Sequence, residues 1–145
     1  MTLTSEQKQL VRSTWEMVVM IQDDAARLFY ARLFEIDPST RVLFASANMA
    51  EQGKKFMNTI TTIVAEVEYP DILRPGIEAL GRRHVGYGTN EEHYESVGAA
   101  LLWTLGRVLG EEFTHEAEEA WAELYGMIAT MMKDAARGYQ RRAEE

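Results

Sequence analysis

Apolar residues return every three or four positions along nearly the whole chain, and no stretch alternates with the two-residue period of a half-buried strand. Helices are therefore predicted throughout. Thr4 with Gln7 forms a capping box ahead of a first helix whose buried stripe includes Val11, Trp15 and Val18. A second helix starts after Asp23 and Asp24, carries Ala25, Leu28, Phe29, Arg32 and Leu33, and stops near Asp37. Asp37-Pro38 reads as an N-cap with proline at the first helical position, opening a short helix through Val42 and Leu43, with Phe44 directly after it. A small-residue loop, Ala45 to Ala50, leads into a long helix with Phe56, Ile60, Ile63, Val64 and Val67 on one face. Tyr69-Pro70-Asp71 breaks that helix and starts the next, in which Pro75 is expected to separate a leading turn from the main body. Two long helices complete the set. One carries Tyr94, Val97, Leu101, Leu105 and Val108 and ends at Gly110; the other follows Thr114, carries Ala117, Trp121, Leu124, Ile128, Met132 and Ala135, and runs to about Tyr139. Seven or eight helices of unequal length result, and periodicity alone does not separate a parallel bundle from a crossed arrangement with a pocket between helices.

Composition narrows the chemistry. At 145 residues the chain, 1–145, reads as one domain large enough to bury a core, and the lack of cysteine excludes disulfides, thiolate metal sites and thiol nucleophiles. The formal charge of −8 argues against nucleic acid as a partner. The polar stretch Met1 to Gln9 has no apolar secretory core and no later segment is long and apolar enough to span a membrane, so a cytoplasmic protein is expected, with no membrane partner. Arg137, Arg141 and Arg142 follow the last helix's apolar stripe, where they complement its dipole, and Glu111, Glu112, Glu116, Glu118 and Glu119 surround that helix's start.

One residue stands out against this background. The stripe Leu73, Ile77, Leu80 closes on His84, just before the stopping run Gly86, Tyr87, Gly88. A residue on that stripe faces the interior. Taken alone, such an imidazole is either a core histidine satisfied by a carbonyl or an axial ligand to a planar metal cofactor.

The order and spacing of several strings decide for the second reading. Leu80-Gly81-Arg82-Arg83-His84, a glycine-containing corner, and His93-Tyr94-Glu95-Ser96-Val97-Gly98 together resemble the proximal region of single-domain bacterial (flavohaemoglobin-like) and neuroglobin-like globins. Leu28-Phe29-Tyr30-Ala31-Arg32-Leu33-Phe34, then Pro38 and Arg41-Val42-Leu43-Phe44, resembles their second helix and the corner after it, and Trp121 with Tyr125-Gly126 resembles their last helix. The resemblance runs from about Ser5 to Tyr139 and implies an all-α globin fold, seven to eight helices around a haem pocket, in a single globin domain holding haem b.

Carried over residue by residue, the resemblance makes His84 the iron ligand and Phe44 the ring packed on the porphyrin. Tyr30 and Gln52 match a distal pair whose O–H and N–H would face iron-bound dioxygen, Phe56 would wall the open position, and Lys55 would meet a propionate. Tyr94 sits where a proximal tyrosine would lie near the His84 ring and accept its N–H. Where many of these relatives carry a proximal glutamate, this chain has Ala136, and Asp134 is on the wrong face to replace it, so peroxidase-like activation is not expected. His93 and His115 lie near the starts of the last two helices and the Gln52 to Val67 segment has no histidine, so an internal bis-histidine state is not expected. The resemblance implies reversible binding of dioxygen, CO and NO, with nitric oxide dioxygenase activity given an external reductase; no glycine-rich dinucleotide motif is present in the chain. The alternative is a haem-based gas or redox sensor acting through a partner protein.

Overall fold

The computed structural model describes residues 2–144. Six α-helices, α1 (Ser5–Val19), α2 (Gln22–Ile36), α3 (Met49–Glu66), α4 (Pro70–Gly86), α5 (Glu91–Leu109) and α6 (His115–Glu144), are joined by 3-10 helices at Pro38–Phe44 and Gly110–Glu112. No strand occurs among the described residues, so the all-α expectation holds.

Local chemistry sets most boundaries. Thr4 Oγ1 accepts from the Gln7 amide at 3.1 Å and Gln7 Oε1 accepts from the Thr4 amide at 2.9 Å, closing the capping box of α1. Asp37 Oδ1 accepts from the Ser39 amide ahead of Pro38, Asn48 caps α3 and Asn90 caps α5. Gly110, with φ +56°, ends α5 in a conformation that side chains resist.

Several boundaries differ from the sequence pattern, and α3 starts at Met49, inside the expected Ala45 to Ala50 loop, because Asn48 caps it there. α2 begins at Gln22, so Asp23 and Asp24 lie inside its first turn, where carboxylates favour the positive end of the dipole. α4 continues through Pro75. Proline there removes one backbone donor, but Leu73, Ile77 and Gly81 on either side are buried and hold the helix in line. α6 extends past Tyr139 to Glu144, since Gln140, Arg141, Arg142 and Ala143 all favour helix and nothing breaks it.

The helices cross around one core, in which α4 lies mainly on α6, α2 on α5, and α1 on α6. Close crossings occur where side chains are smallest. A Cβ on Gly81 would sit 2.5 Å from the Met132 carbonyl oxygen, a Cβ on Gly98 would sit 2.7 Å from the Tyr125 ring, and a Cβ on Gly53 would sit 3.0 Å from Ala26 Cβ. Beneath α1, Trp15 and Trp121 lie with ring centroids 5.7 Å apart. Their indole N–H groups donate to Thr61 (2.9 Å) and Thr14 (2.8 Å), so neither buried donor is orphaned. By contrast α3 and α4 meet only sparingly. These two helices carry Gln52, Lys55, Phe56 and His84, four of the residues singled out from the sequence.

Candidate functional site

On the α3 side, the site is built on an aromatic cluster. Phe29 and Phe56 stack at 4.2 Å with ring planes 18° apart, and Tyr30 meets Phe29, Phe44 and Phe56 edge-on at 4.9, 5.3 and 5.9 Å. These contacts depend on the near approach of α2 to α3 at Ala26 and Gly53. The crossing brings Gln52 Nε2 within 3.2 Å of the Tyr30 hydroxyl oxygen, to which it donates. Accepting that bond leaves the phenolic proton available for another acceptor. Burial pushes the Tyr30 pKa up to about 12, only partly offset by the Gln52 bond, so the group stays a neutral donor at any physiological pH.

On the α4 side, Leu73 and Ile77 are buried while Leu80 and His84 are half-buried, so the stripe emerges from the core toward His84. His84 Nδ1 lies 2.7 Å from the Leu80 carbonyl oxygen, one turn back. A carbonyl only accepts, so Nδ1 carries the proton and Nε2 presents its lone pair. Burial, with the nearby Arg83 charge, lowers the His84 pKa against the opposing effect of the Leu80 bond, which favours the neutral imidazole that a metal requires. Tyr94 does not accept the imidazole N–H as the sequence suggested: its ring stands 6.5 Å from the His84 ring, and the backbone carbonyl takes the proton instead. The local i−4 carbonyl is a nearer partner than a side chain from another helix. Tyr87, which the sequence reading treated only as part of the helix stop, lies edge-on to His84 at 5.3 Å.

Other singled-out residues divide. Phe44 and Phe56 are half-buried against the core. Lys55 is exposed and forms no ion pair among the described residues. Ala136 lines a cavity of about 350 Å³ together with Val85 and Tyr94, and Asp134 pairs with Arg137. Two supports had no clear signal in the sequence. Tyr125 donates to the Tyr94 carbonyl at 2.5 Å, fixing the start of α5 on α6. Ser96 donates to Asp37 Oδ2 at 2.8 Å, tying α5 to the corner that carries Phe44.

Chemically, the arrangement presents one unengaged imidazole nitrogen from α4 and a paired phenol and amide from α2 and α3. Among the described residues no group of three or more His, Asp or Glu is placed to hold a metal ion by itself. A metal at His84 would therefore need its other ligands from a cofactor. Half-buried Phe44, Phe56 and Leu80 are of the apolar kind that would line a flat cofactor.

Crossed helices of unequal length around one core define a class of helical fold, and the comparisons agree with it. A crystal structure of a hexacoordinated haem protein from an anhydrobiotic tardigrade superposes with a TM-score of 0.83 at 18% identity, covering 93% of this chain and 96% of that one. The globin family model matches residues 27–132, and the chain belongs to the globin family. Curated relatives include flavohemoproteins from Xylella fastidiosa strain 9a5c, 35% identical over 127 residues (86% of this chain, 32% of the relative), and from Deinococcus radiodurans, 30% identical over 138 residues (94% and 34%). This chain thus spans about a third of the length of the flavohemoproteins it matches. No described helix is long and apolar enough to cross a membrane.

Proposed function

We propose that this protein binds haem b through His84 Nε2 and holds dioxygen, CO or NO reversibly beside Tyr30 and Gln52. The observation that carries this reading is the pairing of Tyr30 and Gln52 at 3.2 Å, which leaves a phenolic donor uncommitted in a buried aromatic setting. Bound haem would supply an iron centre with one position for a diatomic ligand; the protein's part is to hold, orient and shield. His84 would anchor the group, with Leu80 fixing the tautomer and ring angle. Phe44 and Phe56 would cover it and keep water out, and Lys55 would reach a propionate at the edge. Tyr30 and Gln52 would donate to the partial negative charge on bound dioxygen, each contributing on the order of 1 kcal/mol in a dry site. The name flavohemoprotein couples a flavin to a haem in the relatives; here nitric oxide oxidation would draw electrons from a reductase.

Visible absorption spectra of the haem-reconstituted protein test this reading. Wild type reduced without oxygen should show a five-coordinate ferrous spectrum that converts to a stable oxy form in air, and His84→Ala should lose stoichiometric haem. Unaltered haem retention in that variant, or a gas-insensitive six-coordinate ferrous form in wild type, would refute it.

A further inference from the structure

The chain is acidic overall, with a formal charge of −8, yet one face gathers cations. Where α4 meets the C-terminal half of α6, an open groove of about 440 Å³ is lined by Arg82, Arg141 and Arg142. Two acids, Glu78 and Asp134, border it, and Asp134 is already engaged by Arg137. Among the described residues, Arg82, Arg141 and Arg142 make no ion pair. Round α6 the cavity of about 350 Å³, also lined by Tyr94 and Val85, is balanced in charge: Lys133 and Arg137 face Glu91 and Glu92, and Arg137 pairs with Glu91 and Asp134. Val85 follows His84 in the chain and the Tyr94 ring is 6.5 Å from the His84 ring, so this is the protein's surface behind His84. Cations answer the dipole at a helix end, which accounts for Arg141 and Arg142. It does not account for Arg82, which lines the same groove from α4.

We infer that this α4–α6 face is the docking surface for an acidic electron-carrier protein. The inference rests on the haem reading above, since it names the partner that would keep the iron ferrous. One electron leaves the carrier, which ends one equivalent more oxidised, as the iron passes from ferric to ferrous, and no atom is transferred. Arginine suits such a face because its planar guanidinium pairs with carboxylates through two parallel hydrogen bonds and is enriched at protein interfaces. Opposite charge also speeds encounter, an effect that salt screens. A wide groove lined by three guanidinium groups fits a row of carboxylates on a protein better than an enclosed small molecule.

An acidic flavodoxin is the probe, and its affinity is measured by calorimetry for haem-free and haem-loaded protein at low and high salt. Wild type should bind at low salt and lose about tenfold or more in affinity at high salt. R82E/R141E/R142E should weaken binding about tenfold or more in both forms and slow flavodoxin-driven haem reduction to match, while reduction by dithionite and the CO spectrum stay as in wild type. The neutral set R82Q/R141Q/R142Q should show a smaller loss and serves if the charge-reversed chain does not fold. A distant reversal, K8E/R107E, should bind as wild type does. Equal binding by the charge-reversed and wild-type proteins, salt-independent binding, no binding at low salt, or equal weakening by K8E/R107E would overturn the docking surface. Binding with no acceleration of reduction would overturn the electron carrier as its occupant. Failure of the haem reading appears separately, as absence of a haem spectrum in wild type, because binding is also measured on the haem-free chain.

Discussion

Replacing Gly81 by alanine places a methyl group where α4 rests on the backbone of α6. The added carbon would lie 2.5 Å from the Met132 carbonyl oxygen, 2.7 Å from its Cα and 2.9 Å from its carbonyl carbon. Non-bonded carbons settle at roughly 3.5–4.0 Å, so α4 must retreat by about 1 Å at the crossing. No flexible side chain can give way, because all three obstructing atoms belong to the main chain. Overpacking of this kind costs about 1–3 kcal/mol, and the three backbone contacts put it near the top of that range. Alanine recovers about 1 kcal/mol of helix propensity, leaving a net loss of about 2 kcal/mol. At about 2–4 °C per kcal/mol for a chain of this size, Tm should fall by about 4–8 °C in thermal unfolding followed by circular dichroism. Gly76→Ala, in the same helix with nothing within 4 Å of the new carbon, should instead raise Tm by about 2–4 °C. Because His84 follows Gly81 by one turn, the retreat should also speed haem loss in Gly81→Ala and not in Gly76→Ala. Equal Tm shifts of the same sign in the two variants would show that the α4–α6 approach is not where the structure puts it.

Tyr30→Phe removes the uncommitted phenolic donor, worth about 1–1.5 kcal/mol, so oxygen should dissociate about five- to tenfold faster in stopped-flow exchange with CO; an unchanged rate would separate Tyr30 from the ligand. Thr14→Val strips the acceptor from the buried Trp121 N–H and should cost about 1–3 kcal/mol in urea unfolding, with a midpoint equal to wild type counting against the bond. The Tyr30 pKa lies above its ordinary value of 10.0, at about 12. The stability it contributes is therefore full below pH 10 and is lost as pH rises through about 12. Across that window wild type should lose stability more steeply than Tyr30→Phe, and parallel alkaline unfolding curves would contradict the burial.

Helix placement was legible wherever local chemistry decides it. The Thr4–Gln7 box, the Asp37-Pro38 start and the Gly110 stop each depend on residues within one turn. Pro75 misled because the lost hydrogen bond is local while the packing that straightens α4 is contributed by other helices. The end of α6 was set too early because the apolar stripe runs out before the helix does. For the site, only likeness to globins links Tyr30 to Gln52 in the sequence. Twenty-two positions separate them in sequence, and their contact is made by a helix crossing that depends on two small residues, Ala26 and Gly53. The partner of His84 was local, one turn back at Leu80, yet a backbone carbonyl leaves no trace in a pattern of side chains.

The tryptophan pair beneath α1 gives the protein an optical gauge of its own. Trp15 and Trp121 are 4% and 2% exposed, whereas Trp103 is 37% exposed under the Arg32 guanidinium. Their native emission should carry a blue component from the buried pair and a redder one from Trp103, and unfolding should move the first onto the second. A haem seated in the same small domain would absorb that light by dipolar transfer before it escapes. Cofactor occupancy can thus be followed as dimming at constant colour and loss of fold as a change of colour, with no label attached.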